Sequence, residues 1–488
     1  MAQFIPVDPF DLVIFGGTGD LAQRKLLPAL FHRDRDGQFP IDSRILGVSR
    51  SALSREDFVA WVREALETYL TEDELEDEVW ARFSQRLDYF ALDIKKPDGW
   101  SAMADALNGH TDRCRVFYLA TLPSLFGDTA KQLAEQGLIN SAARIVLEKP
   151  VGSDRHSAER INDAVGQHFE ERQIYRIDHY LGKETVQNLS ALRFANSLLE
   201  PLWNRTHIDN VQITVAEHIG TGNRAQFYNR TGALRDMVQN HMLQLLCLVA
   251  MEPPLSMSHH DIRQEKIKVL RALRPISAST AKRTTARGQY AAGAIAGTAV
   301  DGYLDELDES SDVETFVALR ADIDNWRWNG TPFYLRTGKR LPVKSSEIVI
   351  QFRAVAHSIF SDAAGQLRAN RLIIRLQPDE GMKLTMMTKQ PGPGGFELLE
   401  LPLNLSFSDA HQLRYPDAYE RLLMEVLRGN PALFMHRDEV DAAWQWIDQI
   451  IAAWHESELR AQPYVAGTWG PSASVVLLDR DDREWHQA

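Results

Sequence analysis

Nine consecutive residues, Arg176-Ile177-Asp178-His179-Tyr180-Leu181-Gly182-Lys183-Glu184, hold a carboxylate, an imidazole, a phenol and an ammonium beside an arginine and a second carboxylate. So dense a set of titratable groups makes poor core and is unusual as plain surface. Read as the start of a helix, the stretch puts His179 and Lys183 four apart on one face. Two donors on one face suit an anion such as a phosphate. Asp178, one step round, is placed to reach another partner. A solvated helix face laced with ion pairs is the plainer alternative, and other parts of the chain weigh against it.

A further imidazole, His241, lies in a helical pattern that runs from about Ala233 to Met251. It shares an apolar face with Met237, Leu245 and Leu248, as a core histidine would. Asp236 and Asn240 stand beside it, and Asp178 could orient the ring from the first half of the chain. Hydride transfer from an alcohol carbon needs such a carboxylate–imidazole pair. The imidazole takes the hydroxyl proton, and the carboxylate stabilises the imidazolium that forms. Glu217 closes an alternating strand, Val211 to Glu217. Later, Arg336-Thr337-Gly338-Lys339-Arg340-Leu341, with Lys344 nearby, reads as a basic loop that could close over an anionic sugar, or as a solvated charged turn.

A third group of residues has the pattern of a cofactor site. The apolar run Asp11 to Phe15 ends at Gly16-Gly17-Thr18-Gly19-Asp20-Leu21, a buried strand entering a glycine-rich turn. Gly17 and Gly19 fit the dinucleotide fingerprint. No third glycine follows, and Ala22 is the small residue at that point. The next helix, Leu21 to Phe31, contains Pro28, which either kinks it or marks N1 of a helix that starts late. Lys25 lies close enough to the turn to help hold phosphate. The strand Ile45 to Val48 leads into Ser49-Arg50-Ser51. NAD sites place an acidic residue there against the ribose hydroxyl, whereas an arginine suits the 2′-phosphate of NADP. Arg115 to Ala120 is a central strand that brings Tyr118 towards the crevice. Arg144 to Leu147 ends at Glu148-Lys149-Pro150, at the strand edge where open α/β sheets bind ligands. Lys149 could contact cofactor and substrate there, and Pro150 fixes the turn, cis or trans.

Several elements must position these groups. Helices are expected at Glu56–Leu70, Glu72–Leu87, Ser124–Gly137 and Ser157–Phe169, with a strand at Gln173–Ile177. Alternation of strand and helix from Asp11 onwards predicts a mostly parallel, doubly wound sheet. Later runs at Thr315–Leu319, Thr331–Leu335, Glu347–Phe352 and Arg371–Leu376 lack regular helices between some of them, so they predict a mostly antiparallel sheet. The expected organisation is a Rossmann-like dinucleotide-binding domain over residues 1–178 and a larger α+β domain over 179–488. Gly392 to Gly395 is a surface loop, and Asp417–Arg428 and Arg437–Trp454 are late amphipathic helices.

The 488 residues exceed one ordinary core, which agrees with two domains. A net charge of −13 does not advertise nucleic-acid or acidic-membrane binding, so cations for an anionic substrate must be local. The two cysteines, Cys114 and Cys247, sit in or beside apolar runs and read as buried free thiols of a reducing cytoplasm. No metal-ligand cysteine spacing exists. Met1 to Asp11 lacks the features of a signal peptide, and the apolar run Leu245–Met251 is too short to span a bilayer.

The segments GGTGDLAQRKLLPALF, EKPVG, RIDHYLGKETVQNL, GALRDMVQNH and PFYLRTGKRLPVKS occur in this order. Together they closely resemble the glucose-6-phosphate dehydrogenase family in its bacterial cytoplasmic form, from about Asp11 to Gly467-Thr468-Trp469-Gly470-Pro471. The resemblance implies oxidation of β-D-glucose 6-phosphate at C1 to 6-phosphoglucono-1,5-lactone, the first step of the oxidative pentose phosphate pathway, with NADP as hydride acceptor. His241 matches the general base and Asp178 its carboxylate partner. His179, Tyr180 and Lys183 match phosphate-binding positions, and Glu217, Asp236, Lys339 and Lys344 match other substrate contacts. Lys149 matches the lysine near both ligands, and its bond to Pro150 is cis in the family. Gly17, Thr18, Gly19, Asp20, Leu21, Lys25, Arg50 and Tyr118 match cofactor positions. The family's large sheet usually pairs subunits, which implies a homodimer or a homotetramer.

Two other readings compete. A glycine turn followed by Glu-Lys-Pro also resembles the glucose–fructose oxidoreductase and inositol dehydrogenase class, in which the lysine of that motif carries the catalysis. The anion cluster at His179 weighs against it, since a neutral sugar needs no such clamp. A non-catalytic NADP sensor would keep the glycine turn and Arg50. It would have no need of His241, Asp178 and the two distant lysine sites together.

Overall fold

The computed structural model describes residues 5–110, 113–360, 365–393, 396–406 and 416–487. The chain forms two compact units. The first contains Met1–Gly182, Ser256–Arg263 and Tyr415–Asp441, and the second contains Lys183–Leu255, Gln264–Arg414 and Ala442–Ala488. The units therefore do not coincide with a single cut between residues 178 and 179, because two later segments return to the first.

With strands numbered along the chain, six of the first unit run parallel: β1 (Phe10–Phe15), β2 (Arg44–Ser49), β3 (Leu87–Ala91), β4 (Cys114–Leu119), β5 (Arg144–Leu147) and β6 (Ile174–Ile177). The short β17 (Phe434–Met435) adds antiparallel to β6, giving the order β17-β6-β5-β4-β1-β2-β3. Period-2 alternation sends β1 side chains to two cores. Phe10, Leu12 and Ile14 face one core with Leu30, Phe58 and Leu422, while Val13 and Phe15 face the other with Trp100, Phe117 and Phe126. This is the doubly wound sheet expected from the sequence.

Local chemistry accounts for where its elements begin and end. Pro28 lies in the first turn of the helix Leu27–Arg35, and Ala22–Leu26 before it is π-wound, so the late start is the correct alternative. The expected helix Glu72–Leu87 is broken. A 3-10 turn spans Glu72–Glu74, a helix spans Asp77–Gln85, and Leu87 opens β3. The break follows from pairing, because Leu87 to Ala91 adds to β2 and buries Leu87 and Tyr89. The late helix Ala418–Arg428 belongs to this unit. Arg144 at the start of β5 donates to its Val426 and Leu427 carbonyls (2.6 and 2.7 Å), satisfying acceptors that a helix C-terminus leaves open.

The second unit holds a nine-stranded sheet of β7 (Ile208–Ala216), β8 (Thr285–Ala291), β11 (Phe316–Ala321), β12 (Phe333–Gly338), β13 (Ser345–Phe352), β14 (Arg371–Gln377), β15 (Gly381–Lys389), β16 (Leu398–Ser406) and β18 (Gln462–Val465). Its order is β16-β15-β14-β13-β7-β12-β11-β8-β18, and a small hairpin is made by β9 (Gly293–Ile295) and β10 (Thr298–Val300). Pairing is mostly antiparallel, with β7–β12 and β8–β18 parallel. Tyr290, Tyr303, Phe316, Tyr334 and Tyr464 fill one of its cores. The expected basic loop at Arg336 is corrected here. Arg336, Thr337 and Gly338 complete the buried strand β12. The Arg336 guanidinium lies 4.3 Å from the centroids of both Trp469 and Trp485, and burial pulls it down to about 10.

Cys114 and Cys247 are buried free thiols. Among the described residues no helix is long and apolar enough to cross a membrane. Of the expected loop Gly392–Gly395, residues 394 and 395 lie outside the described residues, as do Met1 to Phe4 of the N-terminal stretch.

Candidate active site

The turn after β1 is built from close approaches. Gly16 has φ +85°, and a Cβ there would lie 2.4 Å from the Ala120 carbonyl oxygen, while one at Gly17 would lie 2.7 Å from Gly47 Cα. The Gly16 and Gly17 amides both donate to Val48 O (2.8 and 3.0 Å). These two glycines therefore lock β1 to β2 and β4 and do not offer amides to a pyrophosphate. The donors left for an anion are those of the first helical turn, from Asp20 and Leu21 onwards, at the positive end of the helix.

A cleft of 740 Å³ opens at this edge, with Thr18, Gly19, Arg50, Lys95, Thr121 and Ser124 in its wall. Arg50 is exposed and makes no ion pair among the described residues. The segment that carries it is held in place. Thr18 Oγ1 donates to Ser49 Oγ (3.0 Å), Ser49 Oγ lies 2.7 Å from Tyr89 Oη, and Tyr89 Oη donates to Ser51 O (2.6 Å). Gly17, Asp20, Leu21, Lys25, Tyr118 and Lys149 are not in the cleft wall. Lys25 instead pairs with Asp417 (2.9 Å), the N-cap of the late helix. The amides of the first helical turn and the cations Arg50 and Lys95 in the cleft wall suit a dinucleotide phosphate.

A second group gathers at the carboxyl ends of β4, β5 and β6. Tyr118 is fully buried and donates to Glu148, which also accepts from the Lys149 amide (3.2 Å) and interacts with Tyr419. Burial pushes the Glu148 carboxyl above the usual carboxylate range, against the pull of the Tyr118 hydrogen bond and the Lys149 amide. Burial likewise raises the phenols of Tyr118 and Tyr419, with the Glu148 charge adding to it. The Lys149–Pro150 bond is cis.

Asp178 follows β6 directly and is fully buried, and its Oδ1 accepts from the Tyr180 amide (2.9 Å). The stretch His179 to Gly182 is a turn and the helix begins at Glu184, so His179 and Lys183 do not share a helical face. Gly182 dictates this course, because a Cβ there would lie 2.7 Å from Ala418 O, and Arg421 donates to the Gly182 carbonyl (2.6 Å). The His179 ring stacks on Tyr419 (6.4 Å between centroids, 9° between planes). Tyr419 thus touches both His179 and Glu148. Sequence reading missed it because its helix lies far downstream.

In the second unit His241 is fully buried on a π-wound stretch, Leu234–Met242, and its amide donates to Asn240 Oδ1 (2.6 Å). Its expected face with Met237 is therefore not an α-helical one. Such wide turns recur at functional sites. Glu314 anchors the start of this stretch by accepting from the Leu234 amide (3.1 Å). Lys339 Nζ pairs with Glu217 (2.8 Å) and lies 4.9 Å from the Tyr228 ring centroid. Burial raises the Tyr228 phenol, and the Asp236 and Glu217 carboxylates raise it further. Glu217, Asp236, Lys339 and the unforeseen Tyr228 thus form one polar group. Lys183 Nζ donates to Gln377 (2.8 Å), whose amide donates to Ser346 (2.9 Å). Lys344 is exposed on the loop before β13 and makes no hydrogen bond or ion pair among the described residues.

A doubly wound domain with a cation-bearing cleft beside β2, in a chain that also holds a large mixed sheet and a buried histidine on a π-wound stretch, has the pattern of an oxidoreductase that uses a nicotinamide dinucleotide. Residues 13–188 match the family described as glucose-6-phosphate dehydrogenase, NAD binding domain, and residues 190–486 match glucose-6-phosphate dehydrogenase, C-terminal domain. The chain belongs to the glucose-6-phosphate dehydrogenase family. It is 55% identical to the glucose-6-phosphate 1-dehydrogenase of Rhizobium meliloti, over 100% of this chain and 99% of that one. It is 51% identical to that of Mycolicibacterium smegmatis, over 99% and 98%. Among solved structures, a glucose-6-phosphate dehydrogenase in complex with its substrate glucose-6-phosphate superposes with a TM-score of 0.90 at 32% identity, covering 99% of this chain and 100% of that one.

Proposed function

We propose that this chain oxidises β-D-glucose 6-phosphate at C1 to 6-phosphoglucono-1,5-lactone, with NADP as its cofactor and His241 as general base. The observation that carries the reading is the full-length match to relatives named for this reaction. His241 takes the proton of the C1 hydroxyl on its imidazole as the C1–H bond breaks and the carbonyl forms. Asp178 is its carboxylate partner, an assignment supported by the family motif and by the complete burial of both side chains. NADP, held by the first-turn amides and by Arg50 and Lys95 in the cleft wall, supplies the hydride acceptor. His179, Tyr180 and Lys183 bind the substrate phosphate. Glu217, Asp236, Lys339 and Lys344 bind the sugar, with Lys149 near both ligands.

The enzyme works as a homodimer or as a pair of such dimers. Leu399, Leu401, Leu403 and Leu405 alternate along β16 and are exposed on one face, and a second copy covering them would remove an apolar patch from water. A cytoplasmic location fits a chain with two buried free thiols.

The test is NADPH formation by purified protein with glucose 6-phosphate, beside unphosphorylated glucose and beside NAD. Fast reduction only with the phosphorylated sugar is expected. No reduction with either cofactor would sink the assignment in favour of a sensor.

A further inference from the structure

At the β8–β18 edge of the large sheet lies a cavity of 440 Å³ that shares no residue with the groups described above. Cations from separate segments converge on it. Lys282 and Arg283 come from the end of the helix Ala278–Thr284, Arg287 from β8, Arg460 from just before β18, and Arg480 from just after the helix Ser472–Asp479. On a chain of net charge −13, such a concentration is not a sample of average surface.

Two of these cations are partly committed. Arg287 pairs with Asp312 (3.2 Å) and Glu314 (3.3 Å) and lies 4.5 Å from the Trp454 ring centroid, and Arg460 approaches Asp312 at 3.8 Å. The Arg287 side chain is nevertheless only 10% exposed, and its Nε makes no hydrogen bond among the described residues. The other three, Lys282, Arg283 and Arg480, make no ion pair among the described residues. Arg480 only donates to the Lys282 carbonyl (3.2 Å). Ser472 and Ala473, the first turn of the helix Ser472–Asp479, also stand in the wall, so the positive end of that helix adds to the field.

We propose that this cavity binds a small anion bearing two phosphoryl groups, a pyrophosphate or a bisphosphate ester. Three uncommitted cations and a helix N-terminus call for more negative charge than the roughly two units of a monophosphate. The volume falls within the range of small-molecule sites, about 300–1,000 Å³.

Calorimetry of the full chain tests this, with NADPH and glucose 6-phosphate present to fill the other anion sites without turnover. Inorganic pyrophosphate, ADP, a hexose bisphosphate and orthophosphate are the probes. Pyrophosphate should bind once per chain, about tenfold or more tighter than orthophosphate, and the tighter of ADP and the hexose bisphosphate identifies the source. The exposed pair Lys282→Gln and Arg283→Gln should weaken binding about tenfold per lost charge-assisted contact, with kcat/KM and Tm unchanged. Arg480→Gln is an independent second variant. Absence of pyrophosphate binding, equal binding of orthophosphate, or unchanged binding in both variants would overturn the proposal.

Discussion

Replacing Arg50 by alanine should cut the preference for NADP over NAD about tenfold. Arg50 stands exposed in the cleft wall, on a segment fixed by the Thr18–Ser49–Tyr89–Ser51 chain of hydrogen bonds, so its guanidinium is presented on a rigid base. A hydrogen bond to a charged group contributes about 1.5–3 kcal/mol. Exposure to solvent and the presence of Lys95 in the same wall place Arg50 at the lower end. The expected loss is about 1.5 kcal/mol, or about tenfold in kcat/KM with NADP. With NAD, which lacks the 2′-phosphate, kcat/KM should stay within roughly twofold. Steady-state kinetics with both cofactors measure this. The variant pair Arg50→Ala and Lys95→Ala then shows how much of the residual NADP preference Lys95 carries. An equal fall with both cofactors would refute the argument, since Arg50 would then be supporting the cleft and not reading the phosphate.

Other expectations follow from the same geometry. His179→Ala and Lys183→Met should each raise KM for glucose 6-phosphate by about tenfold and leave kcat less affected, as loss of uniform binding does; a fall confined to kcat would contradict their role as phosphate ligands. Gly182→Ala forces a Cβ to within 2.7 Å of Ala418 O and should lower stability by about 1–3 kcal/mol; an unchanged Tm would show that the brace from the late helix is loose. Burial alone would raise Glu306, but hydrogen bonds from Tyr290, Arg340, Thr221 and the Gly222 amide outweigh it and hold the carboxyl at about 2, against an ordinary value of 4.5. A depressed carboxyl stabilises the fold above its ordinary value, and that stability is lost as pH falls from 4.5 towards 2. The stability gap between wild type and Glu306→Gln in denaturant titrations should therefore narrow over that window, and a gap constant from pH 7 to 3 would contradict the assignment.

The first domain was legible because its signals are local. A run of buried apolar residues meets a glycine turn at Gly16, and Arg50 follows β2 directly. Where two local signals overlapped, reading failed. The expected helix Glu72–Leu87 runs into the first residue of β3 and no strand is expected at Leu87–Ala91, although its pairing with β2 buries Leu87 and Tyr89. Tyr89, which holds the Ser49–Ser51 segment, and Lys95 in the cleft wall go unnoticed with that strand. The helix Glu184–Phe194 buries Thr185, Val186, Leu189 and Arg193, a set with no apolar stripe to read. The helical spacing assumed for His179 and Lys183 failed for a tertiary reason, because Gly182 must pass close to Ala418, more than two hundred positions away in sequence. Arg336 failed for the same kind of reason: its charge marks a loop only until Trp469 and Trp485 are brought over it. The titratable residues stand out by type, whereas Tyr419 comes from a helix far downstream of Glu148 and His179, and Tyr228, close in sequence to Glu217 and Asp236, carries no signal beyond an ordinary apolar position.

The central claim is that His241 is the base for oxidation at C1, and His241→Asn tests it most directly. Asparagine keeps the volume and polarity of the buried site but cannot take the hydroxyl proton at neutral pH. The account predicts a loss of about 10²–10⁴ in kcat for NADPH formation, with KM for glucose 6-phosphate nearly unchanged. A variant that keeps near wild-type kcat, while Lys149→Met abolishes turnover, would contradict it and move the catalysis to the lysine at the end of β5.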